Sequence, residues 1–234
     1  MALKGKTVLI TGGTGALGHV VAERFLREGA NVASSYLFED ELKRLSESYR
    51  TNVSVIRADV TEDEDVAVLF HQVIKKHGQV DILINIVGGF LPTANLKNVQ
   101  TKEWDGMMDI NLKSVFLCSR EFLRLVGERP YGRIINMGAM PVFKPTAGKA
   151  PYAVSKAGVV TLTSVLGEEL KGTGVTANAI APSILKTNAN QQSMPDSDGG
   201  KWVSTEDVAE LMLFLASEEG KSMNGVTIPM FGGV

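Results

Sequence analysis

Two groups of residues have types and spacings suited to chemistry. Tyr152 and Lys156 stand four apart in a stretch with helical periodicity, so one helix face carries both. A phenol titrates near ~10, and an ammonium beside it favours phenolate and draws that value toward neutrality. Such a phenol can pass a proton to or from a substrate oxygen while a cofactor moves hydride. The second group is Thr11-Gly12-Gly13-Thr14-Gly15-Ala16-Leu17-Gly18. Its glycines let the backbone turn tightly and approach a pyrophosphate, whose charge is favoured by the helix N-terminus that follows.

These groups must be positioned by the elements around them. Thr7 to Ile10 is a β-rich apolar run ahead of the glycines, and Leu17, Val20, Val21, Phe25 and Leu26 recur with helical period behind them. The pattern predicts further strands at about 31–35, 53–57, 80–85, 132–137, 175–180 and 226–229. Between them it predicts a charged helix from Glu39 to about Tyr49, a helix opened by a Thr61/Glu64 capping box, and a long helix over about 101–126. Two more helices follow, over about 151–170 and 205–217. Met107, Met108, Phe116 and Phe122 read as core-facing packing on the long helix. Apolar strands alternating with helices of ten or more residues predict a single α/β domain over 1–234, a doubly wound parallel sheet of about seven strands with helices on both faces. The polar run Ser193 to Gly200 predicts one mobile loop.

Composition narrows the function classes. Hydrophobic residues make up 44% of the chain and charged residues 21%, which excludes disorder, collagen-like repeats and a coiled coil. The 24 Lys and Arg against 26 Asp and Glu leave a net charge of -2, with no footprint for a nucleic-acid partner. The single Cys118 cannot form an internal disulfide and reads as a buried thiol. No signal-peptide or membrane-spanning pattern is present, so a cytoplasmic protein without a membrane partner is expected. Nothing in the spacing predicts a metal.

In this context the chain resembles the short-chain dehydrogenase/reductase family over nearly its whole length. Thr11-Gly12 and Gly18 match the family's glycine motif, which implies a Rossmann-type fold and NAD or NADP as cofactor. The resemblance places Gly12, Thr14, Gly15, Ala16, Leu17 and Gly18 on the nucleotide phosphates. Asp59-Val60 matches the Asp-Val that meets the adenine, and Asn85 with Gly88 stands at the family's Asn-Asn-Ala-Gly, behind adenine and ribose. It further implies that Tyr152 is the acid/base, that Lys156 tunes it and holds the nicotinamide ribose, and that Asn111 links the lysine to a proton-relay water. Pro182, Ile184 and Thr187 resemble the segment that holds the nicotinamide amide. The family also implies a small-molecule substrate and a homodimer or homotetramer built through the two long helices.

Two departures qualify that likeness. Where an acid usually ends the second strand and holds the adenosine ribose, the chain has Tyr36, with Glu39 or Asp40 the nearest acids. The choice between NAD and NADP therefore stays open. Ala139 stands thirteen residues before Tyr152, in the place of the family's substrate-orienting serine. A lost donor of that kind costs about 2.7–4 kcal/mol in comparable sites, so a plain ketone would react slowly. The residues thus predict hydride exchange between a nicotinamide cofactor and a carbonyl or quinonoid substrate. The dihydropteridine reductases lack this serine, and Ser193 to Asp198 with Trp202 and Val87 to Phe90 resemble them, so a quinonoid dihydropterin reductase is one alternative. A catalytically silent nucleotide-binding protein is another. The segment 187–205 is short for a substrate lid and predicts an open pocket.

Overall fold

The computed structural model describes residues 3–43, 45–91 and 95–234. Seven strands alternate with helices along the chain. β1 (Thr7–Thr11) has every residue buried, because a strand covered on both faces needs side chains that tolerate burial on both. Then come α1 (Ala16–Arg27), β2 (Asn31–Tyr36), α2 (Glu39–Lys43), α3 (Glu47–Asn52), β3 (Val53–Arg57), α4 (Asp63–His77) and β4 (Ile82–Asn85). The second half runs α5 (Thr101–Met108), a π-helical turn (Asp109–Lys113), α6 (Ser114–Val126), β5 (Gly132–Met137), α7 (Ala150–Glu169), β6 (Val175–Pro182), α8 (Asn188–Ser193), α9 (Thr205–Ala216) and β7 (Thr227–Met230).

All strands pair in parallel in the order β3-β2-β1-β4-β5-β6-β7. Alternation along β1 splits the core. Val8 and Ile10 pack with Val21, Phe25, Val208 and Met212 of α1 and α9, whereas Leu9 packs with Leu69, Phe70 and Phe122 of α4 and α6. The strand order reverses between β1 and β4, and there the loops leaving the two strands part to open a cleft. Pro229 falls in β7, an edge strand, where a missing N–H is tolerated.

Local detail departs from the sequence expectation in four places. The single helix expected over 39–49 is two short ones. The Ser46 Oγ accepts from the Tyr49 N–H at 3.1 Å and so starts α3, and Leu45 and Tyr49 turn into the core. The Thr61/Glu64 capping box does not form. Instead the Thr61 N–H and hydroxyl donate to Asp59 Oδ1 (3.0 and 2.7 Å), and α4 starts two residues later behind Glu62. The long helix over 101–126 is interrupted by the π turn, whose extra residue buries Asn111. Phe122 is buried as expected, but Phe116 lies on the surface beneath the Arg120 guanidinium, because its helix face is left uncovered.

Candidate active site

The cleft has two lobes that meet at Leu17, Ile86 and Gly88. The first, of about 320 Å³, is walled by the glycine loop, the ends of β2 and β3, and the start of the loop after β4. Thr11 Oγ1 accepts from the Ile86 and Val87 N–H groups at 3.1 and 3.3 Å, which fixes the exit of β4 against that of β1. The Gly12 N–H donates to Ser35 Oγ at 3.1 Å, and the Tyr49 hydroxyl donates to the Gly13 carbonyl at 2.6 Å. The loop is thereby held open at the head of α1. A Cβ on Gly18 would lie 2.3 Å from the Gly12 oxygen, so only glycine lets helix and loop approach this closely. Gly15, at the helix N-cap, offers no side chain to the first amides, and the first turn of α1 carries no acid. That end is suited to receive a phosphate.

Gly12, Gly15, Ala16, Leu17, Gly18, Tyr36, Asp59, Val60 and Gly88 all line this lobe. Thr14 does not; its hydroxyl donates to Glu41 Oε2. Asn85 is turned into the interior, where its Nδ2 donates to Asn136 Oδ1 at 2.8 Å across β4 and β5. Neither Glu39 nor Asp40 reaches the lobe. Glu39 Oε1 accepts from the Tyr36 hydroxyl and Asp40 pairs with Lys43. Of these three consecutive acids the one on the wall is Glu41, which accepts from the Leu37 and Phe38 N–H groups at 3.1 and 2.9 Å. Three adjacent acids made it indistinguishable in sequence from its neighbours.

The second lobe, of about 450 Å³, lies over the ends of β5 and β6 and the start of α7. Tyr152, Lys156, Ala139, Pro182, Ile184 and Thr187 line it together with Phe90, Lys149, Asn190 and Met194. Lys156 is 5% exposed, and its Nζ donates to the Met137 carbonyl at 2.9 Å. Burial lowers its titration to about 8. The Tyr152 ring meets the Phe90 ring edge-on with centroids 5.1 Å apart. Burial pushes the Tyr152 phenol up to about 12, opposite to the lowering expected from the sequence, because desolvation disfavours the phenolate. Asn111 is fully buried. Its Oδ1 accepts from the Gly89 N–H (2.9 Å), and its Nδ2 donates to the Gly89 carbonyl and to Ser155 Oγ (both 3.1 Å).

Ala139 is buried on the wall of this lobe. Two hydroxyls share the lobe: Ser183 donates to the Phe231 carbonyl, whereas Thr187 caps α8 by accepting from the Asn190 N–H, which leaves its own O–H able to donate. Segment 187–205 forms α8 and a short 3₁₀ turn (Gly199–Lys201), and places Thr187, Asn190 and Met194 on the lobe.

Residues 6–198 match the family model described as short chain dehydrogenase. The chain belongs to the short-chain dehydrogenase/reductase family. It is 28% identical over 243 residues to the 3-oxoacyl-[acyl-carrier-protein] reductase FabG of Salmonella typhimurium, covering 100% of this chain and 99% of that protein. Among solved structures, it superposes on gox2181 with a TM-score of 0.91 at 26% identity, over 99% of this chain and 96% of the other. It superposes on a mutant of a Serratia marcescens short-chain dehydrogenase/reductase with a TM-score of 0.89, also at 26% identity, over 100% and 99% of the two chains. This short-chain dehydrogenase is thus an oxidoreductase that uses NAD or NADP. The cleft suits such a group, since two lobes joined at Gly88 run from a glycine cradle to a buried lysine and tyrosine.

Proposed function

We propose that the protein reduces a carbonyl or quinonoid compound with a nicotinamide cofactor, with Tyr152 giving the proton. The observation that carries this reading is the placement of Tyr152 and Lys156 on the lobe that Gly88 joins to the glycine cradle. The cofactor, when bound, supplies the hydride that goes to the substrate carbon. Tyr152 Oη donates its proton to the substrate oxygen, completing an alcohol. With the phenol held up to about 12, Tyr152 is protonated near neutral pH and stands ready as an acid, which suits reduction. The Lys156 ammonium, one helical turn after Tyr152 and fixed by the Met137 carbonyl, stabilises the phenolate left behind. Asn111 orients the Gly88-Gly89 turn beside that lysine.

In the first lobe, Gly12 and the run Gly15 to Gly18 hold the phosphates, and Asp59 and Val60 the adenine. In the second, Pro182, Ile184 and Thr187 hold the nicotinamide. Two carboxylates, Glu41 and Asp59, line the first lobe, and no Lys or Arg does so among the described residues. A 2′-phosphate is disfavoured there, and we assign NAD as the preferred cofactor. Arg57 ends β3 beside Tyr36, outside that lining.

Ala139 favours a second reading, a strongly electrophilic quinonoid substrate such as a quinonoid dihydropterin, which needs one donor fewer. The retained set of Tyr152, Lys156 and Asn111 argues against a catalytically silent binding protein. The relatives act, by name, on 3-oxoacyl groups held by acyl-carrier protein. The deciding assay is therefore NADH and NADPH oxidation with simple ketones, a 3-oxoacyl thioester and quinonoid dihydropterin side by side. Tyr152→Phe should reduce turnover of the accepted substrate by about 10²–10⁴-fold while nucleotide still binds. Full activity in that variant would end the proton-transfer reading.

A homodimer or homotetramer acting on a small molecule in the cytoplasm completes the proposal. It is supported by Phe116 and Leu125 on α6 and Val154 and Val165 on α7, large apolar side chains left on the surface. Sedimentation of the purified protein tests it. Among the described residues no helix is long and apolar enough to cross a membrane.

A further inference from the structure

We propose that Lys149 is an anion-binding residue of the substrate lobe, and that the physiological substrate is an oxo acid whose carboxylate it holds. The inference rests on the reductase reading and names its substrate class.

The lobe is apolar over most of its wall, with Phe90, Met140, Pro141, Ile184, Leu185 and Met194 on it. Against that wall stand two ammonium groups, Lys149 and Lys156, and no Asp, Glu or His lines the lobe among the described residues. Lys156 is buried, with its ammonium tied to the Met137 carbonyl. Lys149 has no such commitment. It is half-buried at the N-cap of α7, and no carboxylate of the described residues forms an ion pair with it. Its Nζ lies over the Phe90 ring, 5.5 Å from the centroid, and that ring meets Tyr152 edge-on. Lys149, Phe90 and Tyr152 therefore make one continuous stretch of wall.

An ammonium held in an apolar lobe without a counter-charge attracts an anion more strongly than the same group in water. The positive end of the 20-residue α7 acts in the same direction. Lys149 precedes Tyr152 by three residues, which places their Cβ atoms about 5–6 Å apart on neighbouring positions of the helix. A substrate whose carbonyl oxygen meets the phenol and whose carboxylate lies a few bonds away can reach both groups. The apolar wall then takes the remainder of the molecule. 2-Oxo to 4-oxo acids with an aliphatic or aromatic body have this shape.

The test uses phenylglyoxylate and 3-benzoylpropionate, each beside its methyl ester, in NADH-coupled reduction by wild type, Lys149→Met and Lys149→Arg. The acid should exceed its ester in kcat/KM by about tenfold or more in wild type, mainly through KM. That ratio should fall toward one in Lys149→Met and be largely retained in Lys149→Arg. The same ratio in wild type and Lys149→Met, or no preference in wild type, overturns the proposal. If neither acid nor ester is turned over, calorimetric binding of the same pairs to the NADH-saturated proteins decides. A preference for the acid that Lys149→Met abolishes supports the anion site and places the failure in the reductase reading. Equal binding of acid and ester overturns the anion site itself.

Discussion

Gly88 is the spacer between Asn111 and Lys156: a Cβ placed on it would lie 2.7 Å from Asn111 Oδ1 and 3.1 Å from Lys156 Nζ. Both contacts are too close, and both partners are buried, so neither side chain can swing away cheaply. Gly88→Ala should therefore shift the lysine and the asparagine without touching the apolar core. Turnover is expected to drop by up to about 10²-fold, the cost reached when a reacting set is displaced by about 1 Å. Steady-state kinetics beside a thermal melt checks this; a folded variant with wild-type kcat would refute the coupling.

Ala139 offers the opposite kind of experiment, a gain of function. It lines the lobe at 4% exposure and supplies no donor there, and the Ser183 hydroxyl of the same lobe is committed to the Phe231 carbonyl. Ala139→Ser should raise kcat/KM for unactivated ketones by roughly 10²-fold, the low end of what one oxyanion donor contributes. The gain should be much smaller for a quinonoid substrate, whose reactivity needs no such help. An equal gain for both classes would remove the case for a strongly electrophilic natural substrate.

Glu41 places a carboxylate at the far end of the cleft. It accepts from the Leu37 and Phe38 N–H groups and from the Thr14 hydroxyl, and so brings a carboxylate onto the wall beside Tyr36. A 2′-phosphate near this group would be repelled by a few kcal/mol at an effective dielectric of ~20, before screening by salt. Glu41→Gln should accordingly narrow the preference for NADH over NADPH by about tenfold or more. Fluorescence titration with each nucleotide at fixed ionic strength reads the ratio. NADPH preferred by the wild type would contradict the assignment and direct attention to Arg57.

The two buried titrating groups of the second lobe give a pH signature. Tyr152, held up to about 12, keeps its proton across the working range, whereas Lys156 loses its charge as pH rises through about 8. Reduction should decline with one proton's slope above that point. The stability effect has the opposite sign. The folded state binds the lysine proton less tightly than the unfolded chain, which titrates at 10.5, so burial of the charge costs stability below about 8 and the cost disappears as pH climbs toward 10.5. Lys156→Met should thus be inactive, yet melt at or above wild type at pH 7, with that advantage gone by pH 10. Thermal unfolding at the two pH values checks the sign.

Much of this molecule is legible in its residue order. The alternation of apolar strands with amphipathic helices gave all seven strands to within a few residues, since a parallel strand buried on both faces leaves a continuous apolar run. The departures arise where a local rule met a distant competitor. The Thr61/Glu64 box lost to Asp59, and the helix over 39–49 broke because Ser46 capped a new one while Leu45 and Tyr49 found the core.

The site divides along the same line. Residues close in sequence were placed by the sequence itself: the glycine loop between β1 and α1, and Tyr152 with Lys156 one helical turn apart, because periodicity alone fixes such neighbours. Relations between distant segments were decided by the folded chain. Gly88 wedged between Asn111 and Lys156, Glu41 drawn to Thr14, Asn85 turned inward to Asn136 and Lys149 laid over Phe90 all depend on how separate loops meet at the ends of the strands. Burial likewise decided the direction in which Tyr152 titrates, because desolvation is a property of the packed interior and not of the residues beside it in the chain.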